Sequence, residues 1–290
     1  MAETTQNLVR AQVYSEVILP LARQQKSMLH DTVYVKSGIT GKSFFQDQIG
    51  TWGMTKKTTA NPTTPTNDPG LGRRRVDMET FHDARIMDRS LLLQELSDPM
   101  SVASVCVQSS VGKQIDSIIY TALGATAKKG ETGETDVTFP TAQEIAAADT
   151  GLTVAKLRRA MAKLDDAGVP AEDRYFVGGA IQKEQLLSTT EATSADYNTV
   201  RALVAGDIDT FLGFKFKWLP GGIITKDGNI ATCYAYHKTG VCYGMVEELA
   251  LKIDERADLS YSKQIYYEFT AGATRLEEEK VVKVLADESK

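Results

Sequence analysis

Residues 152–179 read LTVAKLRRAMAKLDDAGVPAEDRYFVGG, and this stretch combines a capped helix with a buried strand. Thr153 is of a residue type that caps helix N-termini, and apolar side chains then recur at helical spacing. Gly168 and Pro170 end the helix, because glycine favours the position after a helix and proline cannot continue one. Residues 174–179 predict a short buried strand, and another helix follows. The stretch therefore predicts a mixed α and β architecture.

Composition bounds the class of protein. The chain has 290 residues, of which 42% are hydrophobic and 24% charged, so it allows one large domain or two ordinary ones and excludes wholesale disorder. No apolar run approaches 18 residues, and the N-terminus lacks the order of a signal peptide, so we expect no membrane association. Three cysteines make no disulfide framework and fit a reducing cytosol. The net charge of −5 argues against a nucleic-acid-binding protein.

A long polar stretch stands out in the first third of the chain. Residues 55–72, TKKTTANPTTPTNDPGLG, contain no large apolar residue except Leu71. Such a stretch is either a disordered linker or a long loop ordered by something outside its own domain. Alternating runs around Val33–Val35 and Val76–Thr80 flank it like the two legs of a long hairpin. Loops of this length in a compact domain are usually functional.

The clearest helix spans residues 98–124, about 39 Å at 1.5 Å per residue. Asp98 is a suitable N-cap, Pro99 fits the first helical position, and Gly124 is a plausible stop. Further patterns predict a capping box at Thr141 and Glu144, a short helix ending at 202–204, a strand at 214–218, a hairpin over 230–246 turning at Lys238–Gly240, and strands at 265–269 and 281–285.

Two segments resemble ligand-binding motifs only in part. GITGKS at 38–43 lacks the first glycine of a phosphate-binding loop, and no helix pattern follows it, so we interpret it as an ordinary turn. Cys233, His237 and Cys242 fall within ten residues, but their spacing matches no common zinc site and no fourth ligand is near. A reduced, half-buried hairpin is the favoured interpretation, with no metal and no cofactor.

No catalytic motif is present in the sequence. None of the three histidines sits in a nucleophile or triad pattern, and there is no G-x-S-x-G elbow. The carboxylates at 165–166 and 277–279 are consecutive, so they point to different faces and predict solvated surfaces. Two classes of function remain open: an enzyme with an unrecognised site, or a structural protein that acts through its surfaces.

Basic residues border the polar stretch on both sides. Arg73, Arg74 and Arg75 lie at its root and lack the interleaved aromatic residues of a nucleic-acid site. They are better suited to salt bridges with a neighbouring chain. With Lys56 and Lys57 they form our predicted set of intersubunit contacts.

The middle and end of the chain resemble the major capsid protein of tailed bacteriophages of the Hong Kong 97 type. The similarity is carried by residues 152–179 together with STTEATSADYNTVRALVAGDIDTFLGFKFKWLP at 188–220. In order these contain Leu164–Asp165, Val169–Pro170, Arg174–Val177, Ser194–Tyr197 and Gly206 to Phe214. The Asp98–Pro99 start of the long helix, with Asp116 inside it, also looks like the family's spine helix. The order of these elements over roughly 75–290 carries the resemblance, and the first 70 residues agree mainly in layout.

The resemblance implies an α+β subunit of the Hong Kong 97 type with five parts. They are an N-terminal arm at 1–30, an extended loop at 31–85, a peripheral domain at 86–140 with its spine helix at 98–124, an axial domain at 141–245, and strands at 246–290 that return to the peripheral domain. The polar stretch would then be the tip of the extended loop, lying on an adjacent subunit. Some family members crosslink a lysine to an asparagine; Lys56, Lys57 and Asn61 match that chemistry by location only.

The implied function is that of a structural major capsid protein, not an enzyme. It would self-assemble through pentamers and hexamers into an icosahedral head that encloses double-stranded DNA without sequence-specific binding. Its partners would be itself and, where used, scaffold, portal and decoration or cement proteins. We expect a virion location, with assembly in the cytoplasm of the bacterial host. The alternatives are an encapsulin-like nanocompartment shell and, unrelated to both, a soluble α/β enzyme.

Overall fold

The computed structural model describes residues 26–50, 52–64, 66, 70–87, 99–188, 210–246 and 250–290. Four predictions lie wholly or mostly outside these residues: the arm at 1–30, the Asp98 cap, the helix ending at 202–204 and the matched segment Ser194–Tyr197.

Three α-helices and sixteen β-strands are formed by the described residues. The helices are α1 (Pro99–Gly124), α2 (Val154–Asp166) and α3 (Ala180–Ser188). The strands are β1 (Tyr34–Lys36), β2 (Ser43–Ile49), β3 (Leu71–Asp77), β4 (Glu79–Met87), β5 (Ala127–Lys129), β6 (Thr135–Val137), β7 (Glu144–Ile145), β8 (Arg174–Gly179), β9 (Thr210–Phe211), β10 (Phe214–Leu219), β11 (Lys226–Asp227), β12 (Ile230–His237), β13 (Val241–Met245), β14 (Ala250–Arg256), β15 (Ser262–Arg275) and β16 (Val281–Asp287).

The strands form three sheets. A seven-stranded mixed sheet has the order β7-β16-β12-β8-β10-β9, with β11 on the edge of β12. A five-stranded sheet has the order β1-β13-β15-β14, and β4 pairs with the other edge of β15. A four-stranded sheet, β2-β3-β5-β6, consists of two antiparallel hairpins side by side.

The seven-stranded sheet is buried on both faces. Phe176 points toward α2 and α3, where it joins Leu157 and Leu164. Its neighbours on β8 point the other way, toward α1, where Ile119 and Leu123 are fully buried. Because both faces are covered, all six residues of β8 are buried, as the continuous apolar pattern predicts.

Two glycines let other parts of the chain approach α1 closely. A Cβ atom at Gly112 would lie 2.9 Å from the backbone nitrogen of Ser27. A Cβ atom at Gly124 would lie 2.1 Å from the Tyr234 hydroxyl. A side chain at either position would push these groups away. Helix α1 ends at Gly124, as predicted, although Gly124 is its last residue and not the residue after it.

One charged side chain of helix α2, that of Lys156, is buried in the protein. Its N-cap is Thr153, as predicted, which accepts a hydrogen bond from the Lys156 backbone. The Lys156 ammonium is buried and donates to the carbonyl oxygens of Ala147, Thr150, Gly151 and Leu285 at 2.7–2.9 Å. Burial lowers the pKa of this lysine. Four acceptors satisfy the ammonium and hold the preceding loop against the last strand.

Three sequence predictions about local structure are wrong. Tyr34–Lys36 is not a leg of the long hairpin, because it pairs parallel with β13; the true legs are β2 and β3. Residues 230–246 are not a hairpin, because β12 and β13 enter different sheets at the turn over Lys238–Gly240. Thr141 and Glu144 form no capping box; a 3-10 turn over 141–143 leads into β7.

The sheet pairing shows which observed sheet contains the strands of the predicted domains. Within the predicted extended loop at 31–85, only 43–77 forms the hairpin, and β4 joins the sheet under α1. Within 246–290, β14 and β15 lie in that same five-stranded sheet, whereas β16 pairs with β12 in the seven-stranded sheet. The last strand therefore lies in the seven-stranded sheet, one face of which also packs against α1. The division into named domains stays a prediction.

We expect Ile119→Ala to lower the free energy of unfolding by about 2–5 kcal/mol, because Ile119 has no exposed surface and its truncation leaves a cavity. Urea unfolding of unassembled subunits measures this loss. Ile181→Ala is the matched control, since Ile181 is 40% exposed and should lose less than about 1 kcal/mol. Equal losses for the two variants would show that this face of α1 is not core.

Candidate assembly surfaces

The hairpin of β2 and β3 projects an apolar surface. The two strands pair from Ser43–Asp77 to Ile49–Leu71, and the Gly50 amide donates to the Gly70 carbonyl at 3.0 Å beyond the last pair. Four side chains at and beyond this end are exposed; we call them the tip surface: Ile49, Trp52, Met54 and Leu71. Trp52 is 81% exposed and Leu71 83%. Large exposed apolar groups in a cluster mark an interaction surface.

A buried arginine in the middle of β3 fixes the hairpin to the rest of its own chain, and we call this anchored part of the hairpin its root. Arg74 donates from Nε to the Leu276 carbonyl at 2.9 Å and from Nη2 to both Glu278 oxygens at 2.7–2.8 Å. Gln48, on the facing strand, donates to the same Leu276 carbonyl at 3.0 Å. Both strands of the hairpin are thus tied to the turn that joins β15 to β16.

A second buried arginine completes this root. Arg275 has no exposed surface, and its guanidinium donates to the carbonyls of Leu123, Ala125 and Val137 at 2.9–3.3 Å. Its Nε lies 3.8 Å from Glu278. Burial lowers the pKa of Arg275, and the nearby Glu278 carboxylate opposes that shift. A cation at the C-terminal carbonyls of α1 is favourable, because the helix dipole is negative there.

The structure separates the three predicted arginines. Arg74 is buried and pairs with Glu278 inside its own chain, and its contact with a neighbouring subunit stays a prediction. Arg73 pairs with Asp47 directly across the hairpin at 2.6 Å and lies over the Phe45 ring. The hydrogen bond from Arg73 lowers the pKa of Asp47. Arg75 pairs with Asp77 at 2.7 Å. Arg73 and Arg75 stay partly exposed.

Lys56 and Lys57 lie beyond β2 and are exposed. Neither forms an ion pair with any residue that the structure describes. Asn61, four residues after Lys57, is also exposed and adopts a positive φ of 60°. Among the described residues, no partner side chain lies against Lys56, Lys57 or Asn61.

The spine of the subunit also holds the chain that enters it. Asp116, fully buried in α1, accepts from the Ser27 hydroxyl at 2.6 Å and from the backbone amides of Met28 and Leu29 at 2.9–3.1 Å. The close approach at Gly112 places this entering segment on the helix surface. A lone acid on an apolar helix face is the signal by which sequence analysis could have found this anchor.

The residues with possible metal or catalytic chemistry do not converge. Cys233 and Cys242 are buried in different sheets, and burial raises the pKa of each thiol to about 12. Among the described residues there is no group of three or more metal-binding side chains, and no helix is long and apolar enough to cross a membrane. GITGKS leads into β2 rather than a helix, which confirms an ordinary turn.

Glu278 corrects our interpretation of the acidic run at 277–279 as a solvated face. It bridges Arg74 and Arg275, and its side chain is only 23% exposed. Asp165, in the other acidic run, receives a bond from the buried Arg174 at 2.7 Å. Sequence spacing could not reveal these partners, because they are distant in the chain.

Comparison with known proteins gives one family and a common fold. A model of the family described as phage capsid protein matches residues 7–288. No curated protein sequence matches the chain significantly.

Solved structures of similar fold cover almost the whole chain. The capsid of Ralstonia phage GP4 has a TM-score of 0.73 at 11% identity and covers 99% of this chain and 98% of its own. The capsid of cyanophage P-SCSP1u has a TM-score of 0.72 at 14% identity, with 96% and 93% covered. The capsid of a native GTA particle has a TM-score of 0.71 at 13% identity, with 99% and 98% covered. At these identities the likeness is one of fold.

We expect Glu278→Gln to destabilise the subunit. The change leaves Arg74 and Arg275 buried without a carboxylate, and we expect a loss of about 2–4 kcal/mol, somewhat below that for a fully buried partner. Glu277→Gln is the control, because its pair with Lys280 is exposed and worth about 0–1 kcal/mol. Urea unfolding measures both; similar small losses would mean that the root does not depend on this charge.

We expect His237 to make stability fall in mild acid. Burial, and then the neighbouring Lys280, lower the pKa of His237, although Asp173 opposes them. Its Nδ1 also accepts from the Thr239 amide at 3.2 Å, which requires the neutral ring.

The sign of the effect follows from linkage. Below a pH of about 6.5 the unfolded chain binds a proton at this histidine that the folded chain resists, so stability falls as pH drops from about 6.5 toward the folded pKa. Urea unfolding at pH 7.5, 6.5 and 5.5 should show a shallower fall for His237→Gln than for wild type. His82→Gln, at an exposed site, should keep the wild-type fall; an unchanged slope in His237→Gln would contradict this.

Proposed function

Since the chain belongs to the phage capsid protein family, we propose how its described surfaces build the phage head. The chain is a structural major capsid protein of the icosahedral head, so it associates with copies of itself and resides in the virion. Its predicted fold, α+β of the Hong Kong 97 type, is confirmed. The proposal concerns the contacts between subunits.

The subunits associate through unlike surfaces into pentamers and hexamers. Heterologous contacts close into rings when the rotation between neighbours is a fraction of a turn. A hairpin that is fixed at its root and apolar at its far end is suited to reach across such a ring. Each contact is repeated by every subunit, so individually weak interfaces add up to a stable shell.

The tip surface is the proposed anchor on the neighbouring subunit. Trp52 and Met54, in the segment just beyond the paired strands of the hairpin, carry large exposed apolar groups, and tryptophan is enriched among residues that dominate binding energy. The rigid root supports this role, because a fixed hairpin loses little conformational entropy on binding.

Basic side chains add a polar rim to the same contact. Lys56 and Lys57 are exposed beside the tip surface and are available to acidic groups of a neighbour. Arg73 and Arg75 remain proposed contacts, since each keeps exposed surface beside its partner in the hairpin. Exposed ion pairs contribute about 0–1 kcal/mol each, so the rim adjusts orientation more than affinity.

The remaining partners follow from the same function. The head encloses double-stranded DNA without reading its sequence, in keeping with a net charge of −5. Scaffold, portal and decoration proteins bind the shell where the phage uses them, and assembly takes place in the bacterial cytoplasm. We propose that the protein has no catalytic activity. The family match favours a phage head over a nanocompartment shell.

The observation that best supports the proposed function is the exposure of Trp52 and Met54 just beyond a hairpin with a fixed root. We expect the double variant Trp52→Ser with Met54→Ser to fold normally but to give at least tenfold fewer shells at equal subunit concentration. The apolar area that it loses is exposed in the subunit and would be buried only in the assembly. Negative-stain electron microscopy counts shells, and urea unfolding checks the subunit.

Trp52→Phe is the matched control, because it keeps an aromatic anchor and should assemble almost as well as wild type. Wild-type shell yield from the double serine variant would refute the tip surface as an anchor. Wild-type protein that forms neither rings nor shells would refute the proposed function itself.

A further inference from the structure

Strand β14 buries almost nothing against the part of the chain that the structure describes. It is an edge strand, and among the strands that the structure describes it pairs only with β15. Residues 251–255 point alternately to the two faces of the sheet, yet all five are exposed. Leu251 and Ile253 share one face and are 45% and 51% exposed. A strand with a free edge and two open faces is a template for pairing with another strand.

Three of the four charged side chains on β14 are also without partners among the described residues. Lys252, Asp254 and Glu255 form no hydrogen bond or ion pair with any described side chain. Arg256 differs, because it is held by Asp258 and Gln264 at the turn that follows. Charges on an edge strand prevent association when like charges face each other, and they support association when opposite charges do. The order of the charges along β14 therefore decides whether the strand repels a second strand or pairs with it.

We propose that β14 pairs with β14 of a second copy of this chain, antiparallel and about a two-fold axis. This inference rests on the proposed assembly and places the contact between subunits of adjacent rings, because contacts within a ring are heterologous. A two-fold contact is isologous, so the same strand must complement itself.

Symmetry and charge together select one register. Rotation about a two-fold axis normal to the sheet leaves each side chain on the same face of the sheet. Directly opposed residues of an antiparallel pair also share a face. The pair at the axis must therefore consist of one residue and the same residue of the second copy. An axis at Ile253 places Lys252 opposite Asp254 of the second copy, twice. An axis at Lys252 sets two lysines face to face, and an axis at Asp254 sets two aspartates face to face. Like charges directly opposite are destabilising, and only an axis at Ile253 pairs β14 along its whole length, so this register is selected.

The selected register also uses the apolar face. Ile253 meets Ile253 of the second copy, with Leu251 of each copy on the diagonal. The whole of β14 is paired, from Ala250 opposite Arg256 to Arg256 opposite Ala250. One pair of seven-residue strands is a small interface, below the size of a stable dimer in solution. The contact therefore forms in the shell, where it is repeated.

A cysteine placed at the axis tests this register. In a Cys106→Ser background, which removes the half-exposed native thiol, Ile253→Cys should give disulfide-linked dimers in oxidised shells on a non-reducing gel. Opposed residues in an antiparallel pair have Cα atoms about 4.5–5.5 Å apart, within the range for a disulfide.

Leu251→Cys is the matched control, since it lies on the same face with similar exposure. Two copies of residue 251 would be four residues apart along the pair, more than about 13 Å, and should not link. Leu251→Cys combined with Glu255→Cys should link, because these positions face each other in the selected register.

Charge reversal gives an independent readout. Lys252→Asp in the Ile253→Cys background should lower the dimer yield several-fold, and adding Asp254→Lys should restore it. Shells that form normally but give no 253 dimer, or link equally at 251, would overturn this inference while leaving the proposed function intact. Absence of any shell would instead count against the proposed function.

Discussion

The guanidinium of Arg275 is the constraint on which the arrangement of the subunit depends. It occupies the end of α1, where unpaired carbonyls would otherwise be buried, and it shares the Glu278 carboxylate with Arg74 of the hairpin. The spine helix, the hairpin and the β15–β16 turn therefore meet at one cluster of charges. Hydrogen bonds, which are directional, set their relative directions together with the apolar packing of Phe44 and Val76 against Leu276.

The packed sheets, which form the body of the molecule, and its margins, the hairpin tip and β14, differ in how much of their apolar surface is buried. The seven-stranded sheet is covered on both faces, and the passage from β12 to β13 ties it to the sheet under α1. The hairpin tip and β14 instead leave apolar groups in solvent. Burial inside one chain gives a stiff body, and we propose that other copies of the chain cover the apolar area of the exposed margins. A capsid subunit needs both properties, because it must be folded before it is assembled.

Sequence reasoning succeeded where the signal was local. The cap at Thr153, the buried strand at 174–179 and the long helix depend on neighbours in the chain, and each was predicted correctly. It failed where the partner was distant. Short alternating runs at 34–36 and 43–49 look alike, and only tertiary pairing decides which is a hairpin leg. Arg74 and Glu278 lie 204 residues apart, so no spacing could distinguish Arg74 from the exposed Arg73 and Arg75. The long-range order of the elements, matched to a known family, supplied the fold.

The ammonium of Lys156, which four carbonyl oxygens surround, has a consequence for the ionic conditions in which the protein stays folded. Loops that are held by several converging carbonyls often use a bound cation, which dilution or a chelator can remove. Here the cation is attached to the chain through its own side chain and touches four carbonyls. The loop at 147–151 therefore needs no ion from the medium. Its hold on the last strand should be the same in fresh water, in salt water and in the presence of a chelator.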